Sequence, residues 1–294
     1  MKPAPLDQFL GAWSLREWVY DAQGELLGTI EQRRELLRTP DSERLEVVQH
    51  CKPSPDLRSH AMGQFAGEFR FNLQRDGAQR FYEGPDVHGS ATSLGGIYLS
   101  GQGVWPRFGY NFRSWSISLG KDRQITGGSF FRGESLAAIV FGIGHAEGAE
   151  IAMPEPPVDA GPRPMLRGEA LSTDSRGLKV QKSHVRREAH TKQGWIERWE
   201  GLDGDPASLS EQHYEWTPVG KDLLLRRNGV AVGMARTYGP LFVWELHGPQ
   251  GAMTSGLECT DPWQKAHCAL RRHFQNGNLV LFEGLQLDRE GESL

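Results

Sequence analysis

Apolar and polar residues trade places along most of this chain with a period of two. In residues 68–74, Phe69, Phe71 and Leu73 fall on one side of an extended chain and Arg70, Asn72 and Gln74 on the other, the alternation of a strand with one buried face. Asp76-Gly77 then supplies a tight turn and Arg80-Phe81-Tyr82 begins the return. The pattern repeats at Leu223-Leu224-Leu225, Asn228-Gly229 and Val230-Ala231-Val232, where Asn-Gly tolerates the positive φ angles of a type I′ hairpin turn. Residues 18–27 predict another hairpin, and so does the run from Val185 through Lys192-Gln193-Gly194 to Trp199. Turn signals at short intervals, with no sustained helical period, predict antiparallel strands in a sandwich or barrel and argue against βαβ units.

Residues 261–277 admit two readings. As a helix, Asp261 caps, Pro262 takes the first position and Gly277 ends it, with Trp263, His267, Leu270 and Phe274 on one face. As a hairpin, Ala266, Cys268 and Leu270 alternate with polar positions and Asn276-Gly277 turns into residues 279–282. The hairpin agrees better with the rest of the chain. Residues 153–164 pack five prolines and a glycine into twelve positions, too many missing backbone donors for a central strand. They set the expected organisation: an N-terminal domain over 1–149, a Pro-rich linker over 150–165 and a C-terminal domain over 166–294.

The opening Phe9-Leu10-Gly11-Ala12-Trp13-Ser14-Leu15 resembles the Gly-x-Trp strand that begins lipocalin-like (calycin) barrels. A hairpin at Tyr20-Asp21-x-x-Gly24, a strand at 44–48 and the 69–82 hairpin follow in meander order, and 268–283 is similar to a closing hairpin of such barrels. The resemblance implies an all-β protein with two lipocalin-like antiparallel barrels in tandem, as in bilin-lyase-like and carotenoid-hydratase-like proteins. It implies that Trp13 plugs one barrel end. It transfers no catalytic residue.

Composition narrows the function classes. With 33 Lys plus Arg against 37 Asp plus Glu, the net charge is −4, which lacks the basic excess that nucleic-acid or polybasic membrane binding demands. No stretch of 18 apolar residues and no signal-peptide pattern occurs, and Cys51, Cys259 and Cys268 show no C-x-x-C spacing. A cytoplasmic protein with small buried thiols is expected.

Candidate chemistry concentrates in two places. The Gly-rich stretch from Tyr82 to Tyr110, with His88, Trp105, Arg107, Phe108 and Tyr110, and Trp115 beyond it, combines stacking surface with a fixed positive charge and reads as a mouth loop of the first barrel. In the second half, Tyr214, Trp216, Tyr238 and Trp244 form the aromatic concentration. On a strand, Phe242, Trp244 and Leu246 share one face and Val243, Glu245 and His247 the other. With the second face inward, Glu245 and His247 are a buried acid/base pair; with the first inward, they lie on the surface. The catalytic candidates are therefore His88, Arg107, Tyr110, Glu245 and His247, and the ligand-binding candidates Trp105, Phe108, Trp115, Tyr214, Trp216, Tyr238 and Trp244. The ten histidines show no metal-ligand spacing; pairing of distant strands in a barrel can bring His88, His145 or His213 together, which spacing does not reveal. No G-x-S-x-G and no dinucleotide-binding glycine pattern appears. The sequence thus predicts a protein, potentially a homodimer, that encloses a small apolar or aromatic molecule. It predicts cofactor-free acid/base chemistry of a lyase, isomerase or cyclase, with a carrier or a haem or bilin binder as the alternative.

Overall fold

Alternation becomes two closed antiparallel barrels in the computed structural model, which describes residues 7–39, 44–155, 165–175, 180–201, 210–263 and 266–289. The first is built from β1 (Gly11–Tyr20), β2 (Leu26–Arg38), β3 (Arg44–Pro53), β4 (Gly67–Asp76), β5 (Gln79–Glu83), β6 (His88–Leu94), β7 (Tyr98–Trp105), β8 (Tyr110–Ser118), β9 (Arg123–Arg132) and β10 (Ser135–Ala146). The second comprises β11 (Leu166–Asp174), β12 (Val180–Thr191), β13 (Gly194–Gly201), β14 (Ser210–Val219), β15 (Asp222–Arg227), β16 (Ala231–Tyr238), β17 (Leu241–His247), β18 (Ala252–Thr260), β19 (His267–Gln275) and β20 (Asn278–Arg289). In each, every strand pairs with its neighbours in sequence, and the last returns to the first through β1–β10 or β11–β20. Closure leaves no free sheet edge. The chain divides into two compact units, Met1–Met153 and Pro154–Leu294. Most of the proline-rich run, 156–164, lies outside the described residues.

Local chemistry explains the turns. Asn228 and Gly229 take φ values of 53° and 67°, and Asn276 and Gly277 take 50° and 79°, the left-handed pairs that type I′ hairpins need. The second pair settles the ambiguous segment: it joins β19 to β20, so 267–275 is a strand. The Gly-rich stretch expected to be a mouth loop is instead mostly β6 and β7, with one 3-10 turn at Pro106–Phe108. Its glycines serve close packing within the wall: a Cβ on Gly103 would stand 2.8 Å from the Phe112 ring and 2.3 Å from the His88 carbonyl oxygen.

The first barrel is closed at both ends by aromatic residues. At one end Trp13 is buried and donates from Nε1 at 3.1 Å to the carbonyl of Phe9, whose ring packs with Leu45 and Leu73. At the other, two 3-10 turns between β3 and β4 (Pro55–Ser59 and Ala61–Gln64) bring in Leu57, Met62 and Phe65. The Phe65 ring meets Phe108 at 4.4 Å, Trp105 at 5.4 Å and Phe130 at 5.6 Å between centroids.

The second barrel is filled by charge. Arg187, Glu197, Glu258 and Arg271 project from four strands into its interior, each at most 1% exposed. Arg187 donates to Glu197 at 2.7 and 2.9 Å and to Glu258 at 3.0 and 3.1 Å, while Arg271 grips both oxygens of Glu197 at 2.7 Å. His267 Nε2 lies 2.9 Å from Glu258 and Trp195 Nε1 donates to Glu197 at 3.2 Å. Aromatic faces complete the shell, with Arg187 over Trp195 at 4.8 Å and Arg271 over Trp244 at 5.6 Å. Burial would raise the Glu197 carboxyl, but Arg271 and Arg187 hold it at about 2. The same competition, won by Arg187 and His267, keeps Glu258 well below its ordinary value.

Removing one charge strands its partners in a low-dielectric interior, so Glu197→Gln should cost about 3–5 kcal/mol in urea unfolding of the full chain. Because both carboxylates titrate lower folded than unfolded, their contribution is complete above the ordinary value of 4.5 and is lost as pH falls from there towards about 2. Unfolding midpoints measured across that interval should fall in the native protein and fall less in the variant.

Candidate functional site

Inside the first barrel, the alternating inward positions leave a cavity of about 170 Å³. Phe65, Phe69, Phe71, Trp105, Phe112 and Phe130 border it, together with polar side chains from β1, β2, β3, β5 and β8. Glu17 enters the lumen because it is in phase with Trp13, Leu15 and Val19 on β1. Gln32 and Arg34 share the inward phase of Ile30 on β2, and Gln49 and Cys51 that of Val47 on β3. Room for the Glu17 side chain comes from Gly142 on β10, where a Cβ would lie 2.8 Å from Glu17 Cγ.

The polar corner is a short hydrogen-bonded chain. Arg34 Nε donates to Gln32 Oε1 at 2.9 Å, Gln49 Nε2 approaches the same oxygen at 3.4 Å, and Gln32 Nε2 donates to Cys51 Sγ at 3.5 Å. Arg34 Nη2 stops 4.0 Å short of Glu17, the two side chains being 18% and 12% exposed. Tyr82 hydrogen-bonds Ser114. Burial raises the Glu17 carboxyl above its ordinary range, with Arg34 offsetting part of the rise. Burial likewise raises Tyr82, against the pull of Arg34 and Ser114, and pushes the Cys51 thiol up to about 12, with the Glu17 charge adding to the effect. A carboxyl whose proton is held more tightly than usual beside a guanidinium 4.0 Å away can donate a proton or hold an acceptor; a thiol so raised is a poor nucleophile.

The residues expected from sequence are dispersed. Trp105 and Trp115 border the cavity, although alternation turns the Trp115 ring to the other face of β8, where its atoms would lie 2.6 Å from a Cβ on Gly127. Phe108 and Tyr110 are buried in the aromatic plug around Phe65. Tyr110 lies under the Arg132 guanidinium at 5.3 Å, and burial raises its hydroxyl pKa. Arg107 is 62% exposed and lies 3.8 Å from Asp86. His88 is exposed, beside a shallow outer depression with Arg113 and Phe131.

In the second barrel the register places Phe242, Trp244 and Leu246 inward. Glu245 and His247 consequently form an exposed ion pair at 2.7 Å, with exposures of 44% and 63%, and the inward-facing alternative is not adopted. An inward carboxylate there would have had to share a lumen whose charges are already matched. Tyr214 stacks on Trp195 at 4.8 Å, Trp216 packs on the same ring at 5.3 Å, and Trp244 lies beneath Arg271. Tyr238 is buried at the end of β16. These four rings belong to the packed interior and its margin. His88 and His145 belong to the first unit and His213 to the second, where its Nε2 lies 2.7 Å from Glu211. Among the described residues no group of three or more His, Cys, Asp or Glu is arranged to hold a metal, and no helix is long and apolar enough to cross a membrane.

Glu17, Gln32, Arg34, Gln49, Cys51 and Tyr82 escaped attention in the sequence because they are far apart along it. Their signal was phase: each is a polar or titratable residue in step with inward apolar positions on its strand. The raised Cys51 thiol should alkylate with iodoacetamide at about pH 8 roughly a thousandfold more slowly in the folded protein than in urea; peptide mass mapping of the time course reads this directly.

No family model matches the chain, and neither does any curated protein sequence. Among solved structures, a protein of unknown function from the DUF3598 family of Nostoc punctiforme PCC 73102 superposes with a TM-score of 0.65 at 12% identity, over 98% of this chain and 100% of that one. An S-type phycobiliprotein lyase from Guillardia theta matches 48% of this chain and 88% of its own at 7% identity and a TM-score of 0.36. Kievitone hydratase from Nectria haematococca matches 97% and 90% at 9% identity and a TM-score of 0.22. The fold is that of a lipocalin-like tandem-barrel protein.

Proposed function

We propose that this protein binds a small apolar or aromatic molecule in the lumen of its N-terminal barrel. One observation carries the reading: the first lumen is hollow, walled by aromatic rings and furnished with a single polar corner, whereas charged and aromatic side chains pack the second. Ligand sites are typically apolar concavities with a few convergent polar groups. At about 170 Å³ the space is smaller than the roughly 300–1,000 Å³ of drug-sized pockets and suits a molecule of one or two rings.

A second reading adds catalysis, and the raised carboxyl of Glu17 favours it. Glu17 then serves as general acid, the Arg34 guanidinium stabilises negative charge developing on the substrate, and Tyr82 supplies a phenolic hydroxyl at the lumen wall. Such a set suits a cofactor-free lyase or isomerase, and it replaces His88, Arg107, Tyr110, Glu245 and His247 as the catalytic candidates. A haem or bilin occupant receives less support, because no histidine borders the cavity and the volume is small.

Quenching of tryptophan emission on titration with small aromatic compounds tests binding, since Trp105 borders the cavity. Ser114→Leu, which adds bulk to the lumen and removes the hydroxyl that Tyr82 bonds, should weaken binding at least tenfold while the protein still unfolds in one cooperative transition; undiminished binding would place the ligand elsewhere. If turnover of a bound compound is found, Glu17→Gln should reduce it by roughly 10²–10⁴-fold, the usual contribution of a general acid, while His247→Ala leaves it unchanged.

A further inference from the structure

The two barrels contain buried arginines in contrasting states. In the second, Arg187 and Arg271 each hold carboxylate oxygens at 2.7 to 3.1 Å. In the first, Arg34 spends its Nε–H on the neutral Gln32 amide, and its Nη2 is 4.0 Å from Glu17, beyond hydrogen-bond reach. A guanidinium that is 18% exposed and borders an aromatic-walled cavity therefore lacks the bidentate carboxylate that the second barrel provides for Arg187 and Arg271; Arg80, fully buried in the first barrel, donates only to the Gly77 and Gln79 carbonyls and does not border the cavity. An apolar ligand alone would seal that charge away from water with only Glu17, 4.0 Å distant and outside hydrogen-bond reach, to balance it.

We propose that the molecule bound in the N-terminal barrel is a small aromatic or alicyclic carboxylate, its head group seated on Arg34 beside Glu17 and its ring against Phe69, Phe112 and Phe130. The proposal rests on the binding reading above and names the class of ligand. A planar carboxylate matches the guanidinium fork, which accounts for the choice over other anions. Two carboxylates beside one arginine repel, so binding is coupled to proton retention by Glu17. The groups facing Glu17 fit this coupling: β2 offers Arg34, β3 Cys51 and β5 Tyr82, while β9 and β10 present Thr126 and Gly142, neither of which titrates. Burial already raises the Glu17 carboxyl, and a second negative charge nearby raises it further.

The test compares cinnamate with cinnamamide and cinnamylamine, matched in size and differing in head-group charge, by calorimetry on the full-length protein. Cinnamate should bind at least tenfold more tightly than cinnamamide, and more tightly at about pH 5.5 than at about pH 7.5, a range in which a carboxyl of ordinary pKa stays ionised. Arg34→Met should abolish the preference for the anion, and Glu17→Gln should flatten the pH dependence. Equal affinity for acid and amide, or preference for the amine, would overturn this inference and leave the binding reading standing. Failure of all three to bind, with no protection of Cys51 from alkylation in urea-free buffer, would overturn both.

Discussion

A closed antiparallel ladder sends every second residue into a space only a few side chains wide, and any charge in that phase must find its partner there. Both barrels obey this constraint and meet it differently. In the C-terminal barrel Arg187 stands directly across from Glu197 in the β12–β13 register, so the first ion pair is built into the ladder. Arg271 and Glu258, from the β18–β19 hairpin, close the network around it. Two positive and two negative side chains balance, and aromatic neighbours pack against them.

In the N-terminal barrel the matching is incomplete. Glu17 pairs in register with Ile30, whereas Arg34 faces Trp13 and Gln49. Arg34 is four residues along β2 from the partner of Glu17, and its long side chain covers most but not all of the distance. The aromatic rings that would otherwise occupy the centre are drawn instead to one end, where Phe65 gathers Trp105, Phe108 and Phe130. The outcome is a lumen narrowed by aromatic side chains, hollow in the middle and loosely paired in charge at one corner.

Much of the architecture was legible because strands and turns are written locally. Alternation over a few residues identifies a strand, and Asn228-Gly229 and Asn276-Gly277 specify turns whose backbone angles few other residue pairs tolerate. The site was less legible for a physical reason. Glycine and aromatic density between Tyr82 and Tyr110 suggested a loop around a ligand, yet in β6 and β7 the glycines permit close packing of the wall, as Gly103 does beneath Phe112. Phase does identify Glu17, Arg34, Arg187, Glu197, Glu258 and Arg271 as inward charges. It cannot say which of them meet, because that depends on strand stagger around a closed barrel, a property of the whole ladder.

The contrast between registers also explains why one fold carries a closely matched ion network in one barrel and a looser pair in the other. An ion pair between directly opposed residues is preorganised by the backbone, and nothing entering the lumen could replace it without first paying to separate the charges. A diagonal pair held at 4.0 Å by one long side chain carries no such commitment. A ligand carboxylate that slips onto Arg34 displaces no bidentate carboxylate, while Gln32 continues to hold the guanidinium through Nε and Glu17 remains close enough to sense the new charge. The binding proposed for the first barrel thus turns on where a single arginine falls along β2 relative to the acid on β1.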